Sequence, residues 1–297
     1  MSIRKPSVRV AQALCAGAAA TLLATASPAV LATAAPAAPK PNVPCSESAL
    51  FDAITAANTG GGTLVLSPGC TYALTAPLPE ITNTIVINAR NSTITRDSAA
   101  SFGILSVGPS GNLMLSDATI TNGAAPDFGG GIANHGRLTV TGSAIRDNRA
   151  NFSGGIGGGA GSVTVVQRTN IMDNMANVNG GGVANDGDMT ITDSRIIDNH
   201  AGAVGGGAAN DGTLRILRTN VNENTAGRAG GVANFTASFG TSSTTISDSN
   251  VNSNSSTLAP GGVLNTGGTV NLINSRVRGN APTNCAGSDV VVPNCSG

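Results

Sequence analysis

Aromatic side chains are almost missing from this chain, which has no tryptophan, one tyrosine and six phenylalanines among 297 residues. Its core must therefore be built from Ile, Val, Leu and Ala, and the flat rings that stack on sugars and bases are scarce. Charged residues are sparse as well, and the 16 basic and 16 acidic residues cancel to a net charge of zero. The chain also lacks the basic stripe that nucleic-acid binding requires. These absences argue against a nucleic-acid partner.

Residues 1–34 have the pattern of a secretory signal peptide. The segment begins with three basic residues, Arg4, Lys5 and Arg9. An apolar stretch rich in Ala, Leu and Thr follows, and it ends in two small-residue cleavage motifs, Ala24-Thr-Ala26 and Ala32-Thr-Ala34. The alternative is a membrane anchor, which Pro28 and the lack of a strong Leu/Ile/Val centre disfavour. We expect export, a linker over 35–44, and no membrane span once the signal is removed.

Four cysteines follow that segment: Cys45, Cys70, Cys285 and Cys295. An even number in an exported chain suggests two disulfides, and three pairings are possible. Proximity favours Cys45–Cys70 and Cys285–Cys295, each fastening one end of the domain. The rival hypothesis is a metal site, but these spacings match no zinc pattern and no histidine lies nearby.

A period of about 25 residues dominates the chain from Gly129 to Asn280. Each repeat closes with an apolar residue followed three positions later by asparagine, and successive asparagines are 26, 25, 25, 30 and 26 residues apart. These asparagines are Asn148, Asn174, Asn199, Asn224, Asn254 and Asn280. A fixed period with short β-branched runs, interrupted by Gly and Asn, predicts a solenoid of strands.

The fold class predicted is all-β, a single-stranded right-handed parallel β-helix over residues 45–297. Residues 63–281 would form about nine coils, and 282–297 a C-terminal cap. Residues 45–62 would form an N-terminal cap, because Ser46–Asn58 reads as a helix with Ser46 as N-cap. Its predicted apolar face is Leu50, Phe51, Ile54 and Ala57.

Identical positions of neighbouring coils stack about 4.8 Å apart in such a solenoid. The repeat asparagines should then form a ladder of amide hydrogen bonds. The same alignment predicts a hydroxyl column of Ser143, Thr169, Ser194, Thr219, Ser249 and Ser275. It also predicts a column of alternating charge, which we interpret as register control: Arg168, Asp193, Arg218 and Asp248.

The repeats resemble those of polymorphic outer membrane proteins, in which a Gly-Gly-apolar turn alternates with an aromatic-x-x-Asn motif. The first motif is present at Gly130-Gly-Ile132 and Gly181-Gly-Val183, while the second carries Ile or Val in place of the aromatic residue. The chain also resembles secreted bacterial parallel β-helix repeat proteins, whose Cys-bearing capping helix and Gly-Gly-Gly-Thr-Leu strand match Cys45–Leu64. These resemblances imply a β-helix over 45–297 and a role in adhesion, without the autotransporter barrel of the first family.

The strongest chemical candidate is the column just before the asparagine ladder: Asp147, Asp173, Asp198 and Glu223. Stacked carboxylates repel one another when ionised. Calcium bridging, an acid–base pair with split pKa values, or outward splaying with screening would each relieve that repulsion. The sequence does not decide among them.

A second candidate is the longest coil, which carries Phe235 and Phe239 on a segment about five residues longer than in its neighbours. Insertions in solenoids form loops, often on the binding face, so both rings are candidate ligand contacts. Packing of the rings back onto the coil is the alternative. The two histidines are assigned to corners: His135 to the middle of an Asn-x-Gly turn that recurs at Asn185-Asp-Gly187, and His200 to a position after a ladder asparagine.

Taken together, these features predict a secreted or cell-surface, monomeric, non-catalytic β-helix that binds a polysaccharide or a surface protein. The alternative is a polysaccharide lyase or glycoside hydrolase of the pectate-lyase-like type. The polygalacturonase motifs Asn-Thr-Asp, Asp-Asp, Gly-His-Gly and Arg-Ile-Lys are all absent. No cofactor other than calcium is indicated.

Overall fold

The computed structural model describes residues 42–235 and 242–297. The predicted signal peptide, the first seven residues of the predicted linker and Phe239 lie outside the described residues.

The capping helix α1 spans Glu47–Gly60. Ser46 is its N-cap, and the Ser46 hydroxyl accepts a hydrogen bond from the Ala49 N–H at 3.2 Å. Leu50, Ile54 and Ala57 are buried against the first coils. The prediction that Phe51 shares this face is wrong: its side chain is 43% exposed. The helix meets the coils along a stripe too narrow to include the position after Leu50.

The remaining elements are short strands. The first fourteen are β1 (Gly62–Val65), β2 (Thr71–Leu74), β3 (Thr84–Arg96), β4 (Leu105–Val107), β5 (Asn112–Thr121), β6 (Ile132–Asn134), β7 (Arg137–Thr141), β8 (Ala144–Arg146), β9 (Arg149–Ala150), β10 (Ile156–Gly158), β11 (Val163–Gln167), β12 (Asn170–Met172), β13 (Met175–Ala176) and β14 (Val183–Asn185). The other fourteen are β15 (Asp188–Thr192), β16 (Arg195–Ile197), β17 (His200–Val204), β18 (Ala208–Asn210), β19 (Thr213–Leu217), β20 (Asn220–Asn222), β21 (Thr225–Arg228), β22 (Val232–Asn234), β23 (Ser243–Ser247), β24 (Asn250–Asn252), β25 (Ser255–Leu258), β26 (Val263–Asn265), β27 (Thr269–Ile273) and β28 (Arg276–Arg278).

These strands form a parallel β-helix of about eight turns with about 26 residues per turn. Each strand pairs in parallel with the equivalent strand of the next coil, for example β14 with β10 on one side and β18 on the other. The pairing produces three sheets, of 16, seven and five strands. The seven-stranded sheet has the order β26-β22-β18-β14-β10-β6-β4. The predicted fold is confirmed, with about one coil fewer than expected.

The core is aliphatic, as the shortage of aromatic residues requires. Two apolar columns fill it, and in each column a residue pairs with the equivalent residue of the next repeat. Ile191 pairs with Ile216 and Ile196 with Val221, and all four side chains are fully buried.

The predicted asparagine ladder is present and buried, and we call it the first asparagine ladder. Each side-chain amide, from Asn148 to Asn254, donates to the Oδ1 of the asparagine on the next coil at 2.9–3.0 Å. The same Oδ1 accepts the backbone N–H of the donor residue, and the amide also reaches a carbonyl of the preceding coil. Every polar group of the ladder is thereby satisfied without water.

The hydroxyl column is formed as predicted, and in the charged column one of the predicted pairs, Arg218 with Asp193, is an ion pair. Each hydroxyl of the Ser/Thr column donates to the carbonyl two residues before it and accepts a backbone N–H from the preceding coil, as Ser194 does from Thr169 at 3.1 Å. In the charged column, Arg218 binds Asp193 through two hydrogen bonds of 2.7 and 2.9 Å. The Arg218 hydrogen bond lowers the pKa of Asp193.

Two disulfides lie at the ends of the solenoid, as predicted. Cys45 is bonded to Cys70 and Cys285 to Cys295, with Cα–Cα distances of 5.8 and 6.1 Å. Asn284 extends the first asparagine ladder into the C-terminal cap by accepting from Asn280 at 3.0 Å. None of the helices in the described ranges has the length and apolarity needed to cross a membrane.

Candidate ligand-binding cleft

A cleft of about 650 Å³ lies on the outer face of the seven-stranded sheet. Its lining comes from four successive coils and the start of a fifth. The lining residues are Asp127, Phe128, His135, Phe152, Gly159, Ala160, Asn179, Ala184, Asp186, Ala209, Asp211 and Phe235. Sequence analysis did not predict this cleft.

The floor of the cleft is made of very small side chains. The seven-stranded sheet has three-residue strands, so the first and third residues point inward and only the middle residue points out. Ala184 of β14 and Ala209 of β18 occupy that middle position and line the cleft. The floor is therefore low enough for a ligand to approach the sheet closely.

The first wall is built on a second asparagine ladder, which follows the inward-facing third residue of each strand. Asn185 donates to Asn210 at 2.8 Å, Asn210 to Asn234 at 2.9 Å, and Asn234 to Asn265 at 3.1 Å. Asn134 extends the ladder beyond the glycine on the intervening coil, Gly158, by donating to the Thr164 hydroxyl at 2.9 Å.

Four of these asparagines, Asn134, Asn185, Asn210 and Asn265, also form a turn that presents the next residue outward. Oδ1 of Asn185 accepts the N–H of Gly187 at 3.2 Å, and Oδ1 of Asn134 accepts that of Gly136 at 3.0 Å. The glycine is required because a Cβ on Gly187 would lie 2.4 Å from the Ser162 carbonyl oxygen. The residues that directly follow the strands of this sheet form the first wall of the cleft: His135, Gly159, Asp186, Asp211 and Phe235.

The second wall comes from the residues just before the glycine clusters. Phe128 pairs with Phe152 on the next coil, and the N–H of Ser153 donates to the Asn179 carbonyl on the coil after that. These residues face the first wall across the floor. Phe128 also reaches His135 in the opposite wall, with ring centroids 5.6 Å apart.

Glycines make room for the rings at one end of the cleft. A Cβ on Gly157 would lie 2.4 Å from Cζ of Phe128, and a Cβ on Gly159 would lie 2.6 Å from Nδ1 of His135. The rings therefore rest directly on the glycine backbone. A side chain at either position would displace them.

The cleft gathers aromatic residues, which are scarce in this chain. Three of the six phenylalanines, Phe128, Phe152 and Phe235, line it together with one of the two histidines. Phe152 is 39% exposed, so its ring is available for contact. Half of the phenylalanines on one face mark this face as a binding surface.

The carboxylates of the cleft sit on adjacent coils. Asp186 and Asp211 occupy the same turn position, and Asp127 lies at the opposite wall. Loss of hydration in the cleft, followed by the negative charge of Asp211, raises the pKa of Asp186. Asp186 is thus a carboxylate held near a like charge in a partly dehydrated cleft, as is common at functional sites.

One polar atom of the second wall has no partner among the described residues. Oδ1 of Asn179 is buried and accepts no hydrogen bond from them. Buried acceptors in native structures normally have a donor. The atom has almost no accessible surface, so it is not a contact for a molecule in the cleft.

The predicted calcium column lies elsewhere, at the corner between the 16-stranded and five-stranded sheets. Asp147, Asp173, Asp198 and Glu223 are exposed, one on each coil, and all four have a positive φ of 56–60°. Burial, followed by the charges of Asp147 and Asp198, raises the pKa of Asp173, so the predicted repulsion is present. Arg146 offsets part of it through an ion pair with Asp147 at 2.5 Å.

The described residues contain no group of three or more His, Cys, Asp or Glu side chains arranged to hold a metal ion. Calcium binding by the four acids stays a prediction. Thermal unfolding with calcium and with chelator tests it, since an ion that binds only the folded state raises the midpoint in a concentration-dependent way.

Of the two predicted aromatic contacts, Phe235 lies at one end of the cleft and also packs on a small apolar cluster of Ala229, Ala233 and Leu264. Packing of Phe235 onto the coil is therefore present, and its contact with a ligand stays a prediction. Phe239 lies outside the described residues. His200 is at an exposed corner, as expected, where its Nδ1 is 2.9 Å from the Thr225 hydroxyl.

Sequence analysis placed His135 and Asp186 correctly in turns but did not recognise that those turns form a wall. The signal was present in the alignment: the position between Asn and Gly varies among His, Asp, Asp and Thr while its neighbours repeat. Because this residue varies while the turn is kept, the turn does not require one particular side chain at that position. Phe128 and Phe152 gave no such signal, because the segments that carry them differ in length.

Comparison with known protein families, curated proteins and solved structures finds no significant match to this chain. The function must therefore be argued from the cleft itself.

Proposed function

We propose that this protein binds an extended carbohydrate chain in the cleft on its seven-stranded sheet. The observation that carries the proposal is the concentration of three phenylalanine rings and three carboxylates in the two walls, over a floor of alanine and glycine. Sugar rings offer an apolar face for an aromatic ring and hydroxyl groups for carboxylates and amides, which is the combination found in this cleft.

The direction of the cleft supports a linear ligand. Its walls repeat along the solenoid axis at about 4.8 Å per coil, so the first wall from His135 to Phe235 is roughly 19 Å long. A polymer lying along the axis meets the same kind of turn at every coil. A compact ligand would use only part of this length.

Export and display outside the cell fit such a role. The amino-terminal signal pattern, the two disulfides and the resemblance to secreted and adhesive β-helix repeats all support an extracellular carbohydrate-binding protein. Adhesion to a polysaccharide surface is the corresponding biological role.

A second candidate function is glycoside hydrolysis, which the Asp186–Asp211 pair favours. Two neighbouring carboxyl groups, of which one has a raised pKa, can divide the roles of acid and base at a glycosidic bond. One assay distinguishes the two functions by measuring the reducing ends released from a bound oligosaccharide. Release by the wild type, without release by Asp211→Asn, establishes hydrolysis.

The binding proposal is tested by comparing Phe152→Ala with Phe51→Ala. The two rings have similar exposure, 39% and 43%, but only Phe152 lines the cleft. The ligand is a glycan that the wild-type protein binds on a glycan array. We expect Phe152→Ala to weaken binding to this glycan about tenfold, equivalent to about 1.4 kcal/mol. Phe51→Ala should leave affinity unchanged. Equal affinities of the two variants, or no glycan bound by the wild type, would refute the proposal.

A further inference from the structure

The charged residues that line the cleft are all acidic. Asp127, Asp186 and Asp211 are present, and the described residues of the lining include no lysine or arginine. The chain as a whole carries equal numbers of basic and acidic residues, so this is a local excess of negative charge.

The arginine closest in register to the second wall is already occupied. Arg228 continues the column of Asn179 and Val204, but its guanidinium binds Asp289 at 2.7 Å and the Ala259 carbonyl at 3.0 Å. The segment after Phe235, residues 236–241, contains no charged residue in its sequence. Among the described residues, these segments add no basic side chain to the lining of the cleft.

We propose that the cleft selects glycans with free amino groups, such as oligomers of deacetylated amino sugars, over neutral glycans and over polyuronic acids. This inference rests on the proposed function and names the substrate class for the same site. An ammonium group placed between the walls would pair with the carboxylates of the first wall and face the phenylalanine rings of the second.

Two observations favour a cationic ligand. An ammonium between Asp186 and Asp211 would offset the dehydration and the like charge of Asp211, which disfavour the ionised form of Asp186. The exposed ring of Phe152 lies on the opposite wall, where it offers a π face.

The same chemistry disfavours uronic acid polymers. Their carboxylates would enter a cleft with three like charges and no cation in its lining. A pectate-lyase-like substrate is therefore the least suited to this site. The alternative function, a carbohydrate-active enzyme, would then act on a polysaccharide other than a polyuronate.

The experiment is a calorimetric titration of the purified chain with three oligosaccharides of equal length: β-1,4-linked glucosamine, its fully N-acetylated form, and oligogalacturonate. Mildly acidic buffer keeps the amines protonated, while carboxyl groups with ordinary pKa values of about 4 stay ionised. We expect the glucosamine oligomer to bind at least about tenfold more tightly than the N-acetylated one, with oligogalacturonate weakest. Its affinity should fall with added salt.

The matched variants are Asp186→Asn and Asp117→Asn. Asp117 is exposed on a corner outside the cleft and has a φ of 55°, which asparagine tolerates. Asp186→Asn should lower affinity for the glucosamine oligomer about tenfold and for the N-acetylated one less than twofold; Asp117→Asn should change neither.

Equal binding of the acetylated and deacetylated oligomers would overturn this inference and leave the carbohydrate-binding proposal standing. Tightest binding of oligogalacturonate would do the same. Absence of binding to all three, together with no hit on a glycan array, would overturn both.

Discussion

Two corners of this solenoid are built on the same device and differ in what they present to solvent. Each has a buried asparagine ladder, one running from Asn148 to Asn280 and the other from Asn134 to Asn265. Beside the first ladder the exposed position is acidic on four successive coils. Beside the second it changes from His135 through glycine and aspartate to Phe235.

The difference shows at which corner the exposed residue follows the repeat and at which corner it departs from it. At the first corner the acids project from left-handed turns of almost constant φ, and none of the four lines the cleft on the seven-stranded sheet. At the second corner the turns face a column that contains Phe128 and Phe152, and a cleft lies between them. Regular repetition supports the fold, whereas departures from it are concentrated where a ligand would bind.

The largest effect should come from breaking the first asparagine ladder. Asn199→Ala removes the acceptor of two hydrogen bonds from Asn174 and the donor to Asn224, all in the buried interior. We expect the free energy of unfolding to fall by about 3–5 kcal/mol, because several buried polar groups lose their partners at once.

Urea denaturation measures this loss, with His200→Ala as the neighbouring control. His200 is exposed, so its substitution should cost less than about 0.5 kcal/mol. Equal losses for the two variants would show that the ladder does not stabilise the solenoid.

A smaller and more local effect is expected from Gly157→Ala at the second corner. The added Cβ would meet the Phe128 ring at 2.4 Å and displace it from the cleft wall. Affinity for the glycan should fall about tenfold, corresponding to about 1.4 kcal/mol. Gly60→Ala is the control, because a Cβ there meets nothing within 4 Å. Unchanged affinity of Gly157→Ala would mean that the Phe128 ring is not part of the binding surface.

The smallest effects are expected from replacing one carboxylate at each corner. The pKa of Asp173 and that of Asp186 are both raised, so the folded state binds each proton more tightly than the unfolded state and the ionised form costs stability above the folded pKa. Asp173→Asn and Asp186→Asn should each raise stability at neutral pH by about 0.5 kcal/mol, the scale of exposed charge interactions. That is about 1–2 °C in the unfolding midpoint.

The gain should shrink as the pH falls through the raised pKa and vanish below the unfolded value of about 3.9. Thermal unfolding of both variants and the wild type over this pH range checks it. A midpoint below that of the wild type at neutral pH would contradict the proposed cost of these carboxylates.

Sequence periodicity predicted the elements that repeat in register. The first asparagine ladder, the hydroxyl column and the apolar columns followed from aligning identical positions, because parallel stacking of equal coils brings them together. Both disulfides followed from the proximity of the cysteines along the chain. The second ladder was missed because Gly158 interrupts it and because its Asn-x-Gly segments are also ordinary turn signals. Phe51 was misplaced because helical spacing defines a broad face while the cap buries only a narrow stripe of it.

By itself, the sequence determined the period, the solenoid and the aliphatic core, and it favoured the pairing of the cysteines that the structure shows. Each depends on residues repeated at a fixed interval or lying close along the chain. The tertiary structure alone decided that Phe128 and Phe152 face Asp186 and Asp211 across a floor of small side chains. The reason is physical: the two walls belong to different segments of each coil, and only the folded path of the coil, set by hydrogen bonds between neighbouring rungs, brings them to opposite sides of one cleft.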